Sequence, residues 1–326
     1  MILDDYSEIA RHFPARHADG FQFHGDRPII PPSLSGATPM ALLARPLESV
    51  QNYVDFFTAQ PLPVLKRTVR DLAVLREDME TVSGKRVAAV VLGDPLMTMK
   101  LLTYLQTHRR QAQNHDITTI DRAIMMMGLE PFFRLFGDLP TVEDTLAGHP
   151  QALIGVLKVI GRARRAAHYA RDWAVVRHDL DVDEITVAAL LVEATEIVCW
   201  VFAPTLTERV YAMQRADRTL RSTAAQTAVF GTTARDIQQA LVRAWKLPEL
   251  LIELMDDSKV DHPRVRNVLL ATDFARHVAH GWDDAALPDD LAAIENLIRI
   301  SREQLLHRLG APPDAQARFL GTDDQG

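Results

Sequence analysis

Cysteine is nearly missing from this chain: Cys199 is the only one among 326 residues. An intramolecular disulfide framework and a cysteine-rich zinc site are both excluded, and the thiol is expected to pack in the core. Aromatic residues are scarce at 6%, which leaves little for base stacking along a single strand. There is no surplus of positive charge either. The formal net charge of -7 argues against general attraction to phosphate backbones or anionic membranes. A long charge-free apolar run is also absent: the best membrane candidate, Val187 to Ala203, contains Glu193 and Glu196. Burying either at mid-bilayer would cost about 2.5 kcal/mol, so a buried core helix is expected instead. The opening MILDDYSEIARHF has no apolar stretch of a secretory signal, and a cytoplasmic location is expected.

Several catalytic signatures are missing as well. No GxGxxG, GxSxG, HxH or HExxH occurs. SGKR at Ser83 to Arg86 lacks the other glycine and the Ser or Thr of a phosphate loop, and it reads as a helix start. His168 and His178 are ten residues apart, not the three or four that would place two ligands on one helix face. Met125 to Met127 point in different directions on a helix, so core packing is expected of them rather than soft-metal binding.

What is present is an ordinary globular balance, 47% hydrophobic and 24% charged. Prolines at 28, 31, 32, 39 and 46 interrupt an N-terminal arm, residues 1–51, that is expected to be largely irregular with short helices. After it, Leu62, Leu65, Val69, Leu72 and Leu75 recur at threes and fours, as one buried helix face does. Ser83 opens the next helix. Asp94 and Pro95 then supply an N-cap and a first-turn proline, followed by the stripe Met99, Leu102 and Leu105. Thr118 or Thr119 can cap a helix ended by Gly128 in a left-handed conformation. Thr141 with Asp144 starts another. Leu153, Leu157, Ile160, Ala163, Ala167, Ala170 and Ala174 trace one face of a long helix. The apolar helix entered at Asp181 or Asp183 must end before Pro204. Further helical patterns cover roughly 205–215, 234–245, 248–255, 265–280 and 288–309, with a loose tail after Gly310. No segment alternates as a strand for long, so the expected fold is all-α.

The motifs LPVLKRTVRDLAVL, VVLGDPLMTMKLLTYLQ, ITTIDRAIMMMGLEPFF, AALLVEATEIVCWVFAP and QQALVRAWKLPELLIELM follow one another in an order that resembles the HDOD domain. That domain is a non-catalytic bacterial relative of HD-type metal phosphohydrolases. The resemblance covers residues 52–282, divided at about 148 into an N-terminal helical half and an HD-like half. Residues 283–326 are left as a C-terminal helix and tail. It implies a multi-helical regulatory module of a signalling pathway, with a protein partner or a small effector, no cofactor, no membrane, and a homodimer left open.

Catalytic relatives carry a His-Asp pair on the central helix, and these ligands help hold metal that activates water. The matching positions here are Val192 and Glu193. The other ligand histidines correspond to Gly161 and Ala234, and the final aspartate corresponds to Asp273. One aspartate and a substituted glutamate are too few for an open hydrolytic metal site, so no catalytic residue and no bound metal are expected. A divergent metal-dependent phosphohydrolase is the alternative, and it would need other ligands to converge on Glu193 and Asp273. Glu193 on so apolar a helix requires an Arg, a Tyr or a backbone N–H beside it. It also shares a helical face with Glu196, which allows either an acid pair or a face that reaches solvent or nearby loops. Lys158, Arg162, Arg164, Arg165 and Arg171 make the long helix locally basic. They form a candidate face for an acidic partner helix or a nucleotide phosphate, and nucleotide or nucleic-acid binding through this helix is a further alternative, with nucleic acid disfavoured by the net charge.

Overall fold

The computed structural model describes residues 40–108, 118–217 and 219–321. Most of the N-terminal arm and residues 109–117 lie outside them. The helices are α1 (Val50–Ala59), α2 (Lys66–Glu77), α3 (Gly84–Leu92), α4 (Pro95–Thr107), α5 (Ile120–Met127), α6 (Leu129–Phe136), α7 (Val142–Thr145) and α8 (Pro150–Val176). They continue as α9 (Val182–Leu191), α10 (Ala194–Phe202), α11 (Pro204–Ala216), α12 (Ser222–Phe230) and α13 (Ala234–Ala244). The last are α14 (Glu249–Leu254), α15 (Pro263–Val278), α16 (Leu287–Ile298), α17 (Arg302–Arg308) and α18 (Pro313–Leu320). Among the described residues the only β pairing is an isolated bridge between Val64 and Thr141, so the fold is all-α. The described residues within Met1–Val156 and Val198–Lys246 form one compact unit, and those within Leu157–Ile197 and Leu247–Gly326 form another.

The first unit is organised around Asp94, which is fully buried. Its Oδ1 accepts from the Leu96 and Met97 amides at the start of α4, at 3.0 and 3.3 Å. Its Oδ2 accepts from the Leu65 amide and the Thr68 hydroxyl at the start of α2, both at 2.8 Å. One carboxylate thus caps two helices, where orphan N–H groups and the positive ends of both dipoles meet. Burial pushes its carboxyl up, and the four donors pull it back. In the same unit α1 packs on α13, and the Tyr53 hydroxyl donates to the Phe230 carbonyl at 2.9 Å.

Gly155 on α8 faces the Trp200 ring. A Cβ there would come within 2.7 Å of ring carbons, closer than real contacts allow, so Gly155 is required by packing. Gly155→Ala should cost about 1–3 kcal/mol by overpacking. Urea denaturation reads this directly, and an unchanged midpoint would contradict the close contact.

In the second unit α15 is central, packed by α9, α14 and α16. The Asn267 side chain donates to the Ala170 carbonyl of α8 at 3.0 Å. Tyr169 and Trp173 of α8 meet Phe274 of α15 edge-on and tilted, at centroid distances of 5.1 and 6.3 Å.

Several local expectations are corrected. The stretch read as one apolar helix is interrupted at Val192 and Glu193. Val182–Phe202 is long and apolar enough to cross a membrane, yet 83% of its most apolar stretch is buried inside the protein, as expected of a core segment. Cys199 is buried as expected. Met127 is buried, but Met125 is 68% exposed and is not a core residue, because three consecutive helical positions cannot all face one side. Gly128 has the positive φ of 81° expected of it, but with ψ 152° it is outside the left-handed helical region. The segment after Gly310 contains α18, with Ala311 and Ala315 buried, so it is not a loose tail up to Leu320.

Candidate functional site

The second unit joins three of the ten residues singled out in the sequence in one ion-pair cluster: Arg162 of α8, Glu193 at the break between α9 and α10, and Asp273 of α15. Glu193 has a side chain only 3% exposed. Its two oxygens accept from Arg162 Nε at 2.8 and 2.7 Å. The same guanidinium reaches Glu196 Oε2 at 2.8 Å through its Nη2. A second arginine, Arg276 of α15, donates to Glu193 Oε1 at 3.3 Å and to Asp273 Oδ1 at 3.0 Å. The result is a chain of charges, Glu196, Arg162, Glu193, Arg276 and Asp273, in which each carboxylate meets a guanidinium.

The physical requirement on Glu193 is met by arginines. A carboxylate this deeply buried is tolerable only when paired, and the forked guanidinium can serve two carboxylates at once. Burial is the main influence pushing the Glu193 carboxyl above its usual range, and the neighbouring Glu196 charge adds to it. Arg162 and Arg276 pull it back. Glu193, in the break, and Glu196, on α10, both meet the Arg162 guanidinium, but Glu193 does not reach solvent. Arg162 bridges the pair and leaves no carboxylate free to act as a general base.

The donor set does not fit a hydrolytic metal. Gly161, Val192 and Ala234, the last being the first residue of α13 behind the Thr233 cap, offer no ligand side chain. The oxygens of Glu193 and Asp273 face guanidinium groups where a ligand set would face a cation. Among the described residues no group of three or more His, Cys, Asp or Glu side chains is placed to hold a metal ion. Arg276 was not anticipated; its only sequence signal is the spacing Asp273-x-x-Arg276 on one helix face. A further pair without a local sequence signal, His277 Nδ1 with Asp290 Oδ2 at 2.6 Å, ties α15 to α16.

The basic residues of α8 do not share one exposed face. Arg162 is turned inward at 12% exposure, and Arg171 pairs with Asp183 at 2.8 Å. Arg164 is half-buried, while Lys158 and Arg165 are exposed. Beside these two, Gly161 has open space where a Cβ would stand.

Comparisons with known proteins agree on the fold. The response regulator MmoQ from Methylococcus capsulatus str. Bath is 17% identical, with a TM-score of 0.57, over 78% of this chain and 99% of that one. A virulence factor from Campylobacter jejuni subsp. jejuni is 19% identical, with a TM-score of 0.61, over 85% of this chain and 99% of that one. No curated protein matches. The HDOD domain matches residues 62–259, well over half of the chain, within the span that the sequence motifs had marked. This chain therefore belongs to the HDOD domain family.

Proposed function

We propose that this protein is a non-catalytic regulatory module of a cytoplasmic signalling pathway, acting by contact with a protein partner rather than by turnover. The observation that carries this reading is the placement of Arg162. Its guanidinium supplies, between Glu193 and Glu196, the positive charge that an HD-type enzyme obtains from metal. An arginine cannot activate water as a metal ion does, since it neither lowers the pKa of a bound water to neutrality nor opens a coordination position. Membership of the HDOD family and similarity in fold to a response regulator support a role in signalling through protein contacts.

Elemental analysis of the purified protein, with a phosphodiester turnover assay in added manganese, tests the proposal. Less than stoichiometric metal and turnover at the background level are expected. Stoichiometric metal together with turnover abolished by Glu193→Ala would overturn it and would favour the divergent phosphohydrolase.

A further inference from the structure

Gly161 stands in the middle of α8, where glycine costs helix stability and no neighbour demands it. A Cβ at this position would meet nothing within 4 Å, in contrast to Gly155 on the same helix. On the wheel of about 100° per residue, Leu157, Lys158, Gly161, Arg165 and His168 fall within roughly a third of the circumference. Lys158, Arg165 and His168 are exposed, and Leu157 is a large apolar side chain left 45% exposed. The helix has no Asp or Glu from Leu157 through Arg171, and Asp172, the next residue and on the same side, is paired with Arg308. Arg162 and Arg171 are committed to ion pairs within the unit, whereas Lys158 and Arg165 make none among the described residues. These two cations stand seven residues apart, about 10 Å along the axis, with the bare backbone of Gly161 between them.

We infer that this face of α8 docks an acidic amphipathic helix of a protein partner, laid across Gly161 so that two of its carboxylates meet Lys158 and Arg165 and an apolar side chain covers Leu157. The inference rests on the proposed partner-binding role and names its surface. A missing side chain lets two helix backbones approach closely, and the two flanking cations set register and charge preference. A second copy of this chain does not fit, because two-fold pairing through this face would set Lys158 and Arg165 against their own equivalents. Nucleic acid fits poorly: two cations without ion pairs neutralise few phosphates, and the neighbouring ring of Tyr169 packs inward on Trp173 and Phe274.

The test uses a synthetic, fluorescently labelled amphipathic helical peptide with glutamates seven residues apart flanking a leucine and alanine seam. Its anisotropy is titrated with the full chain. Saturable binding is expected, weakened roughly tenfold or more in K158E/R165E and weakened also in G161L, which fills the space above the helix. A partner peptide with lysines in place of the glutamates should bind K158E/R165E better than the natural chain. Circular dichroism and urea midpoints close to those of the natural chain establish that the variants fold. Equal binding by the natural chain and K158E/R165E would overturn the inference, as would no binding to the natural chain or tighter binding of a single-stranded oligonucleotide at the same face. Such a failure would leave the proposed regulatory role standing, because that role is read by metal content and turnover.

Discussion

Replacing Asp94 with alanine should lower the stability of the first unit by about 3–5 kcal/mol, among the largest effects of any single change. An ordinary N-cap loss costs about 1–2 kcal/mol. Here the same carboxylate also satisfies the Leu65 amide and the Thr68 hydroxyl of a second helix, and each donor left buried without an acceptor adds about 1–3 kcal/mol. Asp94→Asn keeps the shape but presents an amide N–H₂ to donors on one side, so a smaller yet clear loss is expected. Urea unfolding followed by circular dichroism gives both numbers. A loss below about 1 kcal/mol for Asp94→Ala would mean that the two helix starts are held by something other than this group.

That double cap illustrates which features could be read from the sequence. Asp94 followed by Pro95 is a local signal, and its capping of α4 follows from adjacent residues. Its reach to Leu65 and Thr68, 29 and 26 positions away, leaves no local trace. The same division recurs at the ion-pair cluster. A buried Glu193 demands a cationic or polar partner on grounds of solvation alone, but nothing local says that Arg162, 31 residues earlier, supplies it, or that Arg276, 83 residues later, adds to it. Arg162 was instead grouped with its basic neighbours in the sequence, because charge counting does not reveal which way a side chain turns.

Helix boundaries failed where periodicity is weak or uniform. STAAQTAVF, which forms α12, was missed because its small and polar residues give little apolar contrast. The break at Val192 and Glu193 was hidden because the surrounding residues are apolar on nearly every side, so no face could be seen to shift. The pattern over 288–309 looked continuous, yet it divides at Arg299, which has a left-handed φ of 55°. It resumes after Ser301, whose hydroxyl and the Gln304 side chain form a capping box. That box was legible as Ser-x-x-Gln, and the apolar repeat on either side concealed it.

Removing Arg162 should be as damaging as removing Asp94, and its cost should depend on pH. At pH 8, Arg162→Ala is expected to destabilise the protein by about 3–5 kcal/mol, because it strips the main counter-charge from a buried carboxylate. The pKa of Glu193 is already raised in the folded state by burial and by Glu196. Between the unfolded value and that raised value the folded state therefore holds the extra proton. In that window natural-chain stability falls as pH rises, and it levels off above the folded pKa. Loss of Arg162 removes an influence that lowers this pKa, so it extends the window upward. Below the unfolded value Glu193 is protonated in both states and needs no counter-charge. The penalty of Arg162→Ala should accordingly shrink between pH 8 and pH 5, when each is measured by urea unfolding. Glu193→Gln mimics the protonated form, so adding Arg162→Ala to that background should cost well under the single-variant penalty, a coupling that a double-mutant cycle measures. An Arg162→Ala penalty that is the same at both pH values and in both backgrounds would mean that this guanidinium does not neutralise Glu193. The assignment of Arg162 to the charge role of a metal ion would then fail.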